Sequence, residues 1–509
     1  MLVNTRCLVN CFRVMVRAPP EILCTIASYL TQEDLFSASQ VCHHWRSALI
    51  SSSSLWTQIS CHQVFRTVTS LERCKSLPIH LRLESQFSTV ALNDVLLHGN
   101  KLASLTMRCN PNGISPLHKL LASSGPSMER LHISPKEHID KRQAGRVIWQ
   151  NFPSLRELLI RKFRIPNGWS SSPNLIHLAL EDTWSYQKVT VQSILDVLCG
   201  CPLLETLLLV DSGSYLNPTH DTSPVSLPNL RSIELGSFEV RCGLTVCLRF
   251  PRNAAVGFRG LTTVDVCQGI SPIVMAAMLH VLGKFNIRRI TFLTPKFRSH
   301  QRKVALLIRF EGLRGSLEIT ANFNRRSPES YLNVLLSPSL PIESTRELHM
   351  ICWFFDSPER SPDDRAWSRI NATMPNLVSI SFSRCMGPYV FGPLTPTDPS
   401  SPPFPHLERV MVLGDGKGLR EMAKARKDYG VPLKTVVVGR KPRGLAHSIR
   451  DGFAGSETYM GDHPEDCAGV GEFVDDLCVG CPTEAVEWGA GNEIMNVYSS
   501  VGAPAVSPN

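Results

Sequence analysis

The 509-residue sequence lacks any run of eighteen apolar residues, so we do not expect a transmembrane helix. It also lacks the His-Glu-x-x-His, Gly-x-Ser-x-Gly and Gly-Lys-Ser/Thr signatures of common catalytic sites. Residues 1–17 are interrupted by Arg6 and Arg13 and do not form the apolar core of a secretory signal, so we interpret them as an N-terminal extension. These absences predict a protein that is not an enzyme and that holds no cofactor and no metal.

Basic residues are missing after Arg450, where 11 acidic residues occur. Residues 1–450 therefore hold 53 basic and 33 acidic residues. The basic residues are dispersed, without the dense basic stretch and interleaved aromatics typical of nucleic-acid binding. Residues 441–509 are polar, acidic and rich in glycine, a composition that predicts a disordered tail.

The 17 cysteines are odd in number and are spread along the whole chain. Many lie in apolar stretches, which is typical of reduced core thiols in the cytoplasm or the nucleus and not of a disulfide framework. The spacing of His463, Cys467, Cys478 and Cys481 matches no common zinc module. We therefore expect a cytoplasmic or nuclear protein, or one found in both compartments.

Residues 18–60 concentrate the apolar residues of three short helices. The first helix begins at Pro19-Pro20-Glu21, because proline fits the first helical turn and a carboxylate there meets the positive end of the helix dipole. Helical spacing then predicts one apolar stripe along this helix, made of Ile22, Leu23, Ile26 and Leu30.

The next two helices follow a capping-box pattern at Thr31-Gln-Glu-Asp, with Asp34 in the place of Glu. A chain this short rarely buries enough surface to fold alone, so this chain or a partner must cover it. The apolar faces of these two helices are expected to use Leu35, Phe36, Val41, Cys42, Trp45 and Leu49.

The order Pro-Pro-Glu-Ile-Leu, Val-Cys-x-x-Trp-Arg and Leu-Trp resembles the F-box, the adaptor-binding module of cullin-type ubiquitin ligases. Ala18 stands where that family usually has Leu, which implies a weaker adaptor anchor. The alternative is a small helical cap whose apolar residues are ordinary core. The resemblance implies docking of a Skp-type adaptor, and through it a cullin, by Pro19, Pro20, Glu21, Ile22, Leu23, Ile26, Leu30, Leu35, Val41, Cys42, Trp45 and Leu55.

A Leu-x-x-Leu-x-Leu motif, with other aliphatic residues substituting, recurs in steps of 20 to 32 residues with one step of 58. Its alternating second half predicts a short strand, and Ser-Pro pairs such as Ser271-Pro272 predict helix starts between strands. The copies begin at Leu102, Met128, Leu155, Leu175, Leu204, Leu230, Leu261, Ile287, Thr345, Leu377, Leu407 and Leu433.

This period resembles that of leucine-rich repeats, although the usual Asn or Cys after each strand is irregular here. Together with the F-box, the chain resembles fungal, basidiomycete-like F-box proteins with degenerate leucine-rich repeats. The fold class that follows is α/β: a three-helix F-box over 18–60, then a solenoid over 75–440 with parallel strands on one face and helices on the other. A non-repeating α/β domain whose strands merely look alike is the alternative.

The resemblance implies that the chain is a substrate receptor, whose repeats bind a protein destined for ubiquitination. A repeat scaffold acting outside any ligase is the alternative. A glycine-containing segment, Gly414 to Gly418, fits a repeat turn better than a dinucleotide loop. Outward-facing strand positions are the candidates for contacting a substrate, namely Glu157, Arg161, His177, Glu181, Thr206, Glu234, Asp265 and Arg289.

Overall fold

A computed structural model gives the fold, which divides into two compact units, Met1–Ala254 and Ala255–Asn509. Among the described residues no helix is long and apolar enough to cross a membrane. The residues described are 18–84, 87–108, 120–121, 123, 125, 127–134, 152–162, 172–183, 191–210, 224–241, 244–262, 272–282, 286–293, 303–312, 315–324, 340–351, 364–383, 391–398, 400–413, 418–439 and 470–479.

The first unit begins with three short helices, as the sequence predicts. Proline at the start of the first helix and Thr31 at the cap of the second set their boundaries, since both residue types favour helix N-termini. The helices of this unit are α1 (Pro20–Ala27), α2 (Gln32–Ala38), α3 (His43–Ser51), α4 (Val64–Cys74), α5 (Thr89–Leu96), α6 (Val191–Cys199) and α7 (Ser237–Arg241).

A parallel sheet follows the helices. From β1 to β7 each strand pairs with the next one in the chain, and β7 pairs with β9, so that Leu131, Leu158 and Leu178, for example, lie side by side in the core. A separate short parallel pair joins β8 (Val225–Ser226) and β10 (Leu248–Arg249). The sheet strands of this unit are β1 (Gln58–Ser60), β2 (Ile79–Leu83), β3 (Leu102–Met107), β4 (Arg130–Ile133), β5 (Glu157–Arg161), β6 (His177–Glu181), β7 (Thr206–Val210) and β9 (Ser232–Gly236).

A turn of repeated geometry precedes several of these strands. In Ser172-Pro-Asn-Leu175 the Leu175 N–H donates to the Ser172 carbonyl at 3.0 Å, and Leu204 and Leu230 repeat the bond with residues three positions earlier. The Asn174 side chain donates to the carbonyl of Pro153 in the preceding turn at 2.8 Å. Asparagines thus join successive turns ahead of the strands, whereas the usual Asn of a leucine-rich repeat stands after the strand.

The second unit also contains parallel strands, β12 (Ile287–Leu293), β15 (Glu347–Ile351), β16 (Ser379–Ser383), β17 (Arg409–Leu413) and β18 (Thr435–Gly439), paired in that order. Its helices are α8 (Pro272–Leu282), α9 (Asp364–Thr373) and α10 (Leu419–Asp428). Every predicted motif copy except the one at Leu261 therefore coincides with a strand.

The expectation of purely parallel strands is wrong for a hairpin in this unit. Strand β13 (Lys303–Gly312) runs antiparallel to both β12 and β14 (Gly315–Asn324). Two residues connect β13 to β14, far fewer than the dozen or so that a parallel crossover needs. The copy predicted from Leu261 stays a prediction, because its later positions, Val264 and Val266, lie outside the described residues. Leu261 itself lies in β11 (Ala255–Thr262), which pairs with β14.

The prediction of disorder from 441 onward is wrong for residues 470–479. Strand β19 (Asp476–Val479) pairs in parallel with β18, and Val470 is fully buried. Helix α10 holds this segment, because Lys427 Nζ donates to the Glu472 carbonyl at 2.8 Å and Arg420 lies 3.6 Å from the Glu472 carboxylate. Pairing with β18, burial of Val470 and the contacts with α10 together hold this segment, an arrangement that composition alone did not predict.

Candidate functional site

Helix α1 has one buried and one exposed apolar face. Leu23 is fully buried and Ala27 is 2% exposed, whereas Ile22 is 52% and Ile26 37% exposed. Residues four positions apart lie on one face of a helix, so each pair forms its own stripe. Tyr29, 79% exposed, follows directly after the helix. We call Ile22, Ile26 and Tyr29 the exposed apolar stripe.

Helix α1 is held in place by α3. The His44 Nε2 atom lies 2.8 Å from the carbonyl oxygen of Ala18, and the Cys24 thiol donates to the Ala48 carbonyl at 3.7 Å. These bonds leave the exposed apolar stripe facing away from α3, because Leu23 and Ala27 occupy the packed side. Ala18 thus contributes its backbone to this site even though its side chain is short.

Helix α2 is joined to the rest of the first unit by polar bonds. The Thr31 hydroxyl accepts from the Asp34 N–H and donates to the Asp34 carboxylate at 2.7 Å, which is the predicted cap in a modified form. Gln32 Nε2 donates to the Ser70 hydroxyl at 2.8 Å, and its carbonyl oxygen accepts from Ser60. Unit one therefore covers the α2 side of the three-helix cluster.

An aromatic core closes the cluster beneath α2 and α3. Trp56 is 1% exposed, and its Nε1 donates to the Leu49 carbonyl at 2.9 Å. Phe36 packs edge-on against Trp56 with ring centroids 5.1 Å apart, and the Arg73 guanidinium lies 4.2 Å from the Trp56 ring. Burial lowers the pKa of Arg73. Sequence reasoning gave no role to Trp56, although the Leu-Trp pair marked its position.

The predicted adaptor contacts fall into three groups. Leu23 and Leu35 are buried in the core and have a structural role. The sequence had placed them among the residues that contact the adaptor. Leu30, Cys42, Trp45 and Leu55 are half-buried, and the Cys42 thiol caps α3 by accepting from the Trp45 N–H. The exposed members are Pro19, Pro20, Glu21, Ile22, Ile26 and Val41, the last at 48%. Tyr29 joins them, and its spacing of three from Ile26 was visible in the sequence.

This arrangement can bind another protein through apolar contact. Residues 18–62 match the family model described as F-box-like. The chain therefore contains an F-box-like domain. No curated protein is similar enough to the whole sequence to count as a match.

The F-box-like domain is followed in the same unit by most of the predicted substrate contacts. Five of them lie on neighbouring strands: Arg161 pairs with Glu181, with Nε 2.6 Å from the carboxylate, and His177 Nδ1 lies 2.8 Å from the Thr206 hydroxyl. Glu157 lies 2.9 Å from His132 Nε2, and this hydrogen bond lowers the pKa of Glu157.

Of the remaining predicted contacts, Glu234 lies close to these five. It is half-buried on β9, which pairs with β7, and it is in register with Leu208. Arg289 lies on β12 of the second unit, where its Nε is 2.6 Å from the Glu347 carboxylate. Asp265 lies outside the described residues, as do Cys481 and residues 414–417 of the glycine segment.

Within the described ranges, no group of three or more His, Cys, Asp and Glu side chains is arranged to hold a metal ion. Gly418, which ends the glycine segment, caps α10 with φ at +87°, a conformation that favours glycine.

Proposed function

We propose that this chain is the substrate receptor of a Skp–cullin–F-box ubiquitin ligase. The exposed apolar stripe within the F-box-like match is the observation that carries the proposal, since F-box domains generally bind Skp-type adaptors. Exposed Ile and Tyr side chains on a well-held helix are the kind of residues that anchor protein interfaces. The adaptor would in turn connect the chain to a cullin.

We propose further that the strands of both units belong to degenerate leucine-rich repeats that hold the substrate. Support comes from strands at the predicted repeat positions and from the turn bonds that recur ahead of them. Repeats of this kind bury one face on their neighbours and leave the other face free for a ligand.

The chain's contribution to ubiquitination is proximity. Holding adaptor and substrate on one chain raises the effective concentration of the substrate near the transferring enzyme. On this proposal the chain supplies no catalytic residue, cofactor or metal, and it acts in the cytoplasm, the nucleus or both.

A second candidate is a repeat scaffold that never joins a ligase. Ala18 favours it, because loss of a buried Leu side chain from an anchor costs on the order of 2 kcal/mol or more. The two candidates differ in whether adaptor and cullin accompany the chain in cells.

Affinity purification of the tagged full-length chain tests the proposal. We expect the adaptor and cullin to co-purify with the wild type and to be lost from the double variant Ile22→Asp, Ile26→Asp, because two carboxylates would have to be buried at the interface. Leu23 is left unchanged because its replacement would disrupt the core.

The control is Val90→Asp, which places one carboxylate at an apolar residue that is 58% exposed on α5. It should retain both partners. Absence of adaptor from the wild type, or equal recovery with the double variant, would favour the scaffold.

A further inference from the structure

The outward face of β2, β3 and β4 is predominantly basic. Alternate residues of a strand share a face, and the register brings those of the three strands side by side. The outward positions of these strands that the structure describes hold one carboxylate. It belongs to Glu84 and lies 2.8 Å from Arg82. The basic side chains there are His80, Arg82, Arg108, Arg130 and His132.

The neighbouring strands β5, β6 and β7 carry an apolar row on the same face. Leu159, Ala179 and Leu208 lie in register with one another and are half-buried. Leu159 is also in register with His132, so the apolar row continues directly from the basic strands. We call β2 to β4 the basic half and β5 to β7 the apolar half of this face.

Both acidic residues of the apolar half lie close to basic side chains. Glu181 is paired with Arg161, and Glu157 lies against His132 and is in register with Arg130. The basic half holds three arginines and one carboxylate, that of Glu84, so its positive charges outnumber its negative charge. Arg130 is exposed. A positive potential therefore lies beside an apolar row, and a ligand complementary to both would carry acidic and apolar groups in sequence.

We infer that this face binds an extended peptide segment whose acidic residues lie on the basic half and whose aliphatic residues lie on the apolar half. The inference deepens the proposed function, on which it depends for calling the segment part of a substrate. Strands about 4.8 Å apart place β2 and β7 roughly 24 Å apart, which an extended peptide crosses in about seven or eight residues.

Fluorescence anisotropy with the purified full-length chain tests the inference. The probe is a labelled octapeptide of four alternating Asp and Glu residues followed by four alternating Leu and Val residues. We expect saturable binding that weakens at least about fivefold when the acidic half is replaced by Asn and Gln, and again when the aliphatic half is replaced by Ser. Equal binding of the uncharged peptide would overturn the inference, as would absence of binding at about millimolar concentration.

Variants of the chain locate the binding. Arg130→Glu should weaken binding of the probe at least about fivefold, because it reverses an exposed charge of the basic half. The matched control Arg252→Glu makes the same charge change at an exposed arginine off this face and should leave binding unchanged. Equal losses in both variants would mean nonspecific attraction and would overturn the assignment. Binding of a phosphoserine peptide without any binding of the carboxylate peptide would do so too.

Adaptor binding separates this inference from the proposed function. The Ile22→Asp, Ile26→Asp variant should bind the probe normally while losing the adaptor, and Arg130→Glu should do the reverse. If the chain fails to bind the adaptor but binds the probe, the peptide site is still supported. If it binds the adaptor but not the probe, the proposed receptor function is still supported.

Discussion

Single side chains in this protein show how burial, more than residue type, decides chemical behaviour. Cys61 is 1% exposed, and burial raises the pKa of its thiol to about 12. Cys199 ends α6 and is exposed. Because the thiolate is the reactive species, the two cysteines should differ strongly in reactivity.

Brief treatment of the folded chain with iodoacetamide at neutral pH should label Cys199 and leave Cys61 unmodified. Peptide mass mapping measures the modified fraction at each site. Labelling of both cysteines in denaturant is the control for detection. Rapid labelling of Cys61 in the native chain would contradict its burial.

The burial of His349 predicts that the stability of the fold depends on pH. Burial, and then the charge of Arg289, lower its pKa from 6.5 to about 4, with Glu347 acting in the opposite direction. Below pH 6.5 the unfolded chain takes up a proton that the folded chain does not, so stability falls as the pH is lowered from 6.5 toward 4.

Lowering the pH from 7 to 5 should therefore remove about 1 to 2 kcal/mol of stability from the wild type, and less from His349→Gln. Urea unfolding at both pH values measures the difference. His406→Gln, at an exposed histidine of the same unit, should behave like the wild type. Equal pH dependence of wild type and His349→Gln would contradict the account.

At the scale of elements, α1 shows what the sequence could and could not predict. Periodicity located the helix and its apolar residues correctly. It merged Ile22 and Ile26 with Leu23, because which apolar residues face the core depends on where α3 packs, a long-range contact absent from local spacing. The strands of the repeats were easier, since each carries its own alternating pattern.

The β13–β14 hairpin was missed for a related reason. Its strands alternate like those of the repeats, so their residue pattern does not reveal strand direction. Direction follows from the two-residue connection between Gly312 and Gly315, and the boundaries of the strands were needed to recognise how short that connection is.

The asparagines of the turns should each stabilise the stack of strands. Asn174, Asn229 and Asn376 donate to carbonyls of preceding turns at 2.8 to 3.0 Å. Replacing any one by Ala should cost about 0.5 to 1.5 kcal/mol, the usual net value of one hydrogen bond. Leu203 is the matched control, because it follows Pro202 as Asn174 follows Pro173. It is 47% exposed, and Leu203→Ala should leave the free energy of unfolding nearly unchanged. Urea unfolding measures each variant, and equal effects at Asn174 and Leu203 would exclude a specific role for the bond.

At the scale of the whole molecule, the proposed function requires an adaptor-binding helix and a substrate-binding sheet on one chain. Residue composition did not predict the ordered segment at 470–479, because its contacts with α10 span more than forty residues of sequence. The repeat identity, the substrate and the fungal resemblance stay predictions.

A chain that cannot dock the adaptor should trap its substrate. In cells, Ile22→Asp, Ile26→Asp should still capture substrate proteins through the sheet, and those proteins should carry less ubiquitin and live longer than with the wild type. Quantitative proteomics of wild-type, variant and Val90→Asp cells measures their abundance. Unchanged turnover of every captured protein would contradict a role in degradation.

Hydrogen–deuterium exchange of the full-length chain, with and without a purified Skp-type adaptor, tests the central claim most directly. We predict that the adaptor slows exchange in α1, including the Ile22 and Ile26 amides, while the exchange of strands β5 to β7 is unchanged. Exchange of α1 that is identical in the presence of saturating adaptor would contradict the claim that an adaptor covers its exposed apolar stripe.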